Sequence, residues 1–251
     1  MRTALVFPIY KPILNSLEIK RLSVTFASNP GTEKYFLYPA NLDLQAYEPF
    51  LLHSHLIPWE PVNFISRDHY NRLMLSEDLY VELSKYMENV IICQNDAFLI
   101  RSIHDLSKLG FDYIGAAWNP AYRIAQLGKY ILINRPLVSQ FSMSTILTAG
   151  NGGLSYRNLK SILRIIRTMK RDYYWKSLVS LNNRKMNEDL ALVFYGIKSN
   201  FRIADKSIAD KIFIETTEFA LSDLSFLYGF HALGRSNPSL ENYILEKFVL
   251  N

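Results

Sequence analysis

The chain has 251 residues and is 49% apolar, enough for the core of one large α/β domain, or a domain with an appendage, and far from the composition of a disordered segment. Its single cysteine, Cys93, excludes an internal disulfide and, with no segment that reads as a signal peptide, points to a reducing, intracellular setting. The longest uncharged run, 136–156, is broken by polar residues and glycines, which excludes a bilayer-spanning helix, and the net charge of +5 is modest for the whole chain.

Residues 3–8 form an apolar run that predicts a first strand, and residues 17–26 mix apolar and charged side chains as a helix does. Residues 35–38, ended by Pro39, and 62–65, ended by Ser66, predict two further strands, with a loop or short helix between them. Ser76, followed by Glu77 and Asp78, is an N-cap with acids in the first turn of a helix running toward Met87. The run 90–99 predicts a buried strand that delivers one carboxylate, Asp96, to its C-terminal end. This alternation predicts a parallel-rich sheet wrapped by helices, in which ligands sit at that edge.

Residues 111–115 predict a short strand, and 118–148 reads as loop without a clear period. Gly150, Asn151, Gly152 and Gly153 form the densest glycine cluster and lead through residues 154–157 into a helix with Leu159, Ile162, Leu163, Ile166 and Met169 on one side. Asn187 opens another helix, residues 226–231 are an aromatic loop with one histidine, and 238–250 is amphipathic. From Arg157 to Lys185 nine basic residues face only Asp172. Such a field favours phosphates or anionic head groups.

Several chemical readings compete. Asp96, between Ile91, Ile92, Phe98 and Leu99, needs a cation or a hydrogen-bond network to stay ionised, or simply caps the turn that follows. Cys93 lies inside an apolar run and reads as strand filling. The glycine cluster lacks the Lys-Ser or Lys-Thr of a P-loop and has Ser155 where a dinucleotide fingerprint needs its last glycine. A turn lining a flat, hydroxylated ligand and an ordinary tight turn both remain. Glu188 and Asp189 follow Asn187 at a helix start, as a surface cap or as a catalytic pair. His231, among aromatics, is a metal ligand or a satisfied core group.

Taken in order, seven segments carry a resemblance. They are residues 7–11 (FPIYK), 70–76 (YNRLMLS), 94–98 (QNDAF), 112–118 (DYIGAAW), 150–157 (GNGGLSYR), 187–189 (NED) and 229–231 (GFH). From Ala4 to about His231 the chain resembles a bacterial group of glycosyltransferase-like proteins, formerly of unknown function, with the GT-A nucleotide-sugar transferase fold. The resemblance implies a Rossmann-like α/β fold with a mixed, mainly parallel sheet flanked by helices. It implies one domain over 1–251, with a nucleotide-sugar-binding half (1–115), an acceptor and catalytic half (116–235) and a C-terminal helix (236–251).

Residue by residue, the resemblance implies that Gln94, Asn95 and Asp96 stand where the family's Asp-x-Asp motif holds Mn²⁺ or Mg²⁺ against the donor diphosphate. Gln94 replaces the first acid, so metal affinity is weak or basic residues neutralise the diphosphate. His231 matches a late metal-ligating histidine, Pro8 and Tyr10 border the base, and Asn71 and Arg72 lie near the ribose or diphosphate. The glycine turn followed by Glu-Asp also resembles the inverting β-galactosyltransferase and fringe type. That likeness implies Asp189 as general base with Glu188 as orienter, and Trp118 with Asn151, Gly152 and Gly153 as the acceptor platform.

The expected function is transfer of a sugar from a nucleotide donor to a glycan or glycolipid hydroxyl in bacterial surface-polysaccharide assembly, in the cytoplasm or at the inner face of the membrane. The basic helix over 158–171 is either a solvated face or a docking surface for a bilayer carrying a lipid-linked acceptor. Nucleic acid is not an expected partner, since the basic segment carries no recognisable binding motif. The rival is a carbohydrate- or nucleotide-binding module that keeps the fold without chemistry.

Overall fold

The computed structural model describes residues 2–127, 130–133, 145–171, 187–215, 219 and 221–249. Its elements in chain order are β1 (Thr3–Pro8), α1 (Ser16–Ser28), β2 (Lys34–Pro39), α2 (Glu48–Leu51), β3 (His55–Trp59), α3 (Arg67–Leu73), α4 (Glu77–Leu83), β4 (Asn89–Cys93), β5 (Ala97–Leu99), β6 (Tyr113–Gly115), β7 (Ala117–Leu127), β8 (Tyr130–Ile133), β9 (Thr145–Ala149), β10 (Leu154–Asn158), α5 (Leu159–Arg171), α6 (Glu188–Lys198), α7 (Lys206–Ala209), β11 (Phe213–Ile214), β12 (Gly229–His231), α8 (Leu233–Ser236) and α9 (Pro238–Val249).

Six strands make the central sheet in the order β3-β2-β1-β4-β10-β6, with β3, β2, β1 and β4 parallel and β10 antiparallel to both of its neighbours. Both faces are covered, which explains the unbroken apolar runs. Ala4, Val6, Val90 and Ile92 enter one core with α4, α5 and α6, while Leu5, Phe7, Ile91 and Cys93 enter the opposite one with Phe36, Tyr47 and Phe213. A small sheet β11-β12-β5 and an antiparallel sheet β8-β7-β9 complete the architecture. The fold is mixed α/β with a mainly parallel sheet between helices, as expected.

Helix starts follow their caps. Asn15 and Glu18 form a reciprocal capping box on α1, and Ser66 and Ser76 accept backbone N–H bonds from His69 and Leu79. Four expectations are corrected. The strand expected at 62–65 is His55–Trp59, while Pro61 seeds a 3-10 helix over Pro61–Phe64; β3 is an edge strand, which tolerates Pro58. The run 90–99 is two strands in different sheets, parted by a turn in which Ala97 donates to the Gln94 carbonyl at 2.9 Å. Within 118–148 lie most of β7, β8 and most of β9, whose alternation is obscured by Pro120 and by a register shift between Ala117 and Tyr122. Residues 229–231, within the expected aromatic loop, are a strand, and so are residues 154–158, for which no element was expected.

On α5 the apolar stripe Leu159, Ile162, Ile165, Ile166 and Met169 is buried, and Arg167 and Lys170 both pair with Glu77 of α4. The basic face is therefore partly neutralised. Lys176, Arg184, Lys185 and Asp172 lie outside the described residues, as does part of the 118–148 stretch. Among the described residues no helix is long and apolar enough to cross a membrane.

Candidate active site

Strand pairing alone brings distant segments to the C-terminal edge of β4. Antiparallel pairing sets Leu154 opposite Cys93, so the glycine turn lies beside the 94–96 turn, and Gln94 donates its N–H to the Gly153 carbonyl at 2.9 Å. Pairing of β12 with β5 sets His231 opposite Ala97, and the Ala232 N–H donates to the Asp96 carbonyl at 2.8 Å. The start of α6 fits beneath the glycine turn: the Gly152 N–H donates to Asp189 Oδ2 at 3.1 Å. Asp96, Asp189 and His231 thus surround one glycine turn.

That turn explains its own composition. A Cβ on Gly152 would overlap Glu188 Oε1, and a Cβ on Gly153 would overlap the His231 ring at Nε2. Both glycines permit close approach to an ionisable side chain, which a plain tight turn does not require. Asn151 holds the turn from within, its Oδ1 accepting the Gly153 N–H at 2.8 Å and its Nδ2 donating to Glu215 Oε1 at 2.8 Å.

The reading of Glu188 and Asp189 as a surface cap is excluded, because both are buried. Asn187 holds the N-cap position but makes no side-chain cap; its Oδ1 accepts from Asn71 Nδ2 at 3.3 Å. Asp189 also accepts the Leu190 N–H at 2.7 Å. Burial and then the neighbouring charge of Glu188 push the Asp189 carboxyl up to about 7, against the pull of those two N–H groups and Arg157.

His231 lies between two acids, with Nε2 3.4 Å from Asp96 Oδ1 and Nδ1 3.2 Å from Glu215 Oε1, and neither ring N–H is aimed squarely at its oxygen. Burial opposes its charge, but the two carboxylates outweigh it and raise the imidazole to about 9. Asp96, half-buried, is disfavoured by desolvation yet held below the usual carboxylate range by His231 and by Arg235, whose Nη2 bonds Asp96 Oδ2. Asn95 offers its carbonyl to Arg21, itself in a buried pair with Glu241, and its buried Nδ2 has no partner.

The remaining expected residues divide. Pro8 ends β1 beside this edge and is buried, Tyr10 is 52% exposed, and Arg72 is exposed on α3. Gln94 donates to the Tyr70 hydroxyl at 3.2 Å. Trp118 departs from its expected part: it is buried and packs edge-on against Tyr122, centroids 5.1 Å apart, so it walls the space beside Gly150 and presents no open face. Four residues escaped sequence reasoning as site components, namely Tyr70, Arg157, Glu215 and Arg235; Tyr70 and Arg157 lie in segments that carry the resemblance, and Arg157 is the single charge in the glycine segment.

The expected divalent cation does not fit these residues. Asp96 and His231 do meet, but the second Asp96 oxygen is taken by Arg235, Glu215 faces the other ring nitrogen, and Gln94 offers a neutral amide. Among the described residues no three His, Cys, Asp or Glu side chains are grouped to hold a metal ion.

A family model described as protein of unknown function (DUF5672) matches residues 54–231. The chain belongs to this DUF5672 family. The matched span runs from β3 to His231 and so takes in Asp96, the glycine turn, Glu188 and Asp189. No curated protein matches the sequence. Among solved structures, the apo crystal structure of mouse xyloside xylosyltransferase 1 superposes with a TM-score of 0.56 at 11% identity, covering 92% of this chain and 97% of that one. CMP:2-keto-3-deoxy-manno-octonic acid synthetase complexed with CTP gives a TM-score of 0.48 at 10% identity, covering 98% and 100%. The first likeness gives this DUF5672 member a GT-A-type fold and nothing finer.

Proposed function

We propose that this chain is a nucleotide-sugar-dependent glycosyltransferase of inverting type. The observation that carries the reading is a buried carboxylate, Asp189, which accepts the Gly152 N–H at the edge where ligands of open α/β sheets sit and titrates near neutrality. A likeness in fold to a xylosyltransferase agrees with it.

In this reading the donor lies along the ends of β1 and β4, bordered by Pro8, Tyr10, Asn71, Arg72 and residues 94–96, and the acceptor enters beside Asn151, Gly152 and Gly153, with Trp118 behind them. Asp189 takes the proton of the acceptor hydroxyl, whose oxygen bonds the anomeric carbon; the bond from that carbon to the phosphate oxygen breaks, and its electron pair leaves with the nucleoside diphosphate. Glu188 fixes Asp189. Arg235 and His231, the cations at Asp96, face the departing charge, and no step runs through a divalent cation.

The single-domain division at 115 and 235, a glycan or lipid-linked acceptor of bacterial surface polysaccharide, and work at the inner face of the membrane belong to the same proposal. For the last, Lys160, Arg164 and Arg171 of α5 would meet anionic lipid. A second reading, a binding module without chemistry, is favoured by Gln94 in place of an acid. Isothermal titration with UDP-, GDP- and CDP-sugars, followed by assay of sugar transfer, separates the two. Binding with turnover supports the transferase, binding without turnover the module, and absence of binding to any of them defeats both.

A further inference from the structure

A fully buried guanidinium sits behind the acid pair with no part in the chemistry above. Arg157 lies on β10 with no solvent exposure. It donates to Ser155 Oγ at 3.0 Å, to the Tyr80 hydroxyl at 2.6 Å, to the Gly152 carbonyl at 3.3 Å and to Glu188 Oε1 at 3.3 Å, and it lies 5.6 Å over the Tyr113 ring. One side chain therefore grips both the glycine turn and the first acid of the pair. A buried charge is tolerated only when paired and fully hydrogen-bonded, and here the pairing falls on Glu188. Asp189 instead receives two backbone N–H groups, which are dipoles without net charge.

We propose that Arg157 is the positioning residue of this site: gripping the Gly152 carbonyl and Glu188 at once, it fixes the glycine turn against the start of α6 and so holds the Gly152 N–H on Asp189. This deepens the transferase reading and rests on it for its purpose, though not for its test. Burial opposes the charge on Arg157, but the pairing with Glu188 and the Tyr80 hydroxyl that accepts from it offset this, and the guanidinium stays charged. The other ionisable groups around the pair are Tyr70 of α3, Tyr80 of α4, Tyr113 of β6 and Tyr122 of β7, each a phenol raised by burial and neutral at physiological pH. Among these groups the cation in contact with the pair is Arg157, at Glu188.

The test is a ¹³C side-chain carboxyl titration of the full chain, with the Asp189 signal assigned through Asp189→Asn and the Gly152 amide followed by ¹⁵N NMR. In the native protein Asp189 is expected to take up its proton near pH 7. Arg157→Gln is expected to release the turn, displacing the Gly152 amide signal and raising the Asp189 midpoint by about one pH unit or more, because the Gly152 N–H and the guanidinium both favour the anion. Arg157→Lys keeps the charge but not the fork of hydrogen bonds and is expected to recover the native values only in part, while Tyr80→Phe, which removes one hydrogen bond, keeps them. A folded Arg157→Gln protein with the native Gly152 signal and Asp189 midpoint overturns the inference. Should Arg157→Gln not fold, Arg157→Lys decides: displaced values support the role, native values overturn it. The expected shifts without sugar transfer defeat only the transferase reading; transfer with both signals unmoved in the variants defeats only the role of Arg157.

Discussion

Gly152 donates its backbone N–H to Asp189 Oδ2 at 3.1 Å, and this contact joins two chain segments 37 residues apart into one site. Strand β10 brings the turn to the end of β4, and the α6 N-terminus brings the acid to the turn. Neither segment makes a site by itself.

Replacing either glycine tests that closeness. Gly153→Ala drives a methyl group into His231, and Gly152→Ala drives one into Glu188. Each is expected to cost about 1–3 kcal/mol in urea unfolding, the usual range for overpacking, and to weaken donor and acceptor binding. Retention of native stability and binding in both variants would mean that the turn is ordinary.

His231 predicts how stability depends on pH. Its folded-state value, about 9, lies above the ordinary imidazole value of 6.5, so the stability it contributes is complete below pH 6.5 and disappears as pH rises through 9. The expected loss is on the order of 3 kcal/mol across that window, at about 1.4 kcal/mol for each pH unit between 6.5 and about 9. Thermal unfolding from pH 6 to 9.5 should show the fall in the native chain and a flatter profile in His231→Gln. Equal profiles would remove His231 from between Asp96 and Glu215.

Arg235 predicts the response to metal. With its guanidinium on Asp96 Oδ2, the native chain should bind Mn²⁺ weakly, as read by water-proton relaxation. Arg235→Gln frees that oxygen and should tighten Mn²⁺ binding by up to about fivefold, the effect of removing one competing exposed ion pair worth ~1 kcal/mol or less. Tight Mn²⁺ binding by the native protein would show that Arg235 yields Asp96 to the metal.

The basic face of α5 predicts salt-sensitive attraction to anionic vesicles. Sedimentation with phosphatidylglycerol liposomes should capture the chain at low salt and release it as salt rises, and Lys160→Glu with Arg164→Glu should abolish capture. No capture at the lowest salt would leave α5 as a solvated helix, a result made easier by the pairing of Arg167 and Lys170 with Glu77.

Much of this was legible in the sequence. Buried parallel strands announce themselves as continuous apolar runs, and the cap at Ser76 is local chemistry; Ser66, read as the end of a strand, caps α3 instead. The convergence of Asp96, Asp189 and His231 came from the resemblance, since no local pattern encodes which strand lies beside which. Residues 154–157 illustrate the limit: lying between a glycine cluster and a helix they suggested no element of their own, and only pairing with β4 and β6 makes them a central strand. The parts played by Arg157 and Glu215 were hidden for the same reason, because a buried cation and a half-buried acid look in the sequence like any exposed ones, even where, as for Arg157, the segment itself stands out.

The most direct measurement is release of nucleoside diphosphate from UDP-, GDP- and CDP-sugars in the presence of a glycan acceptor panel, comparing the native chain with Asp189→Asn. The account predicts turnover in the native chain, a fall of about 10²–10⁴-fold in the variant with donor affinity unchanged, and the same fold by circular dichroism. An Asp189→Asn protein that transfers sugar at the native rate would contradict it.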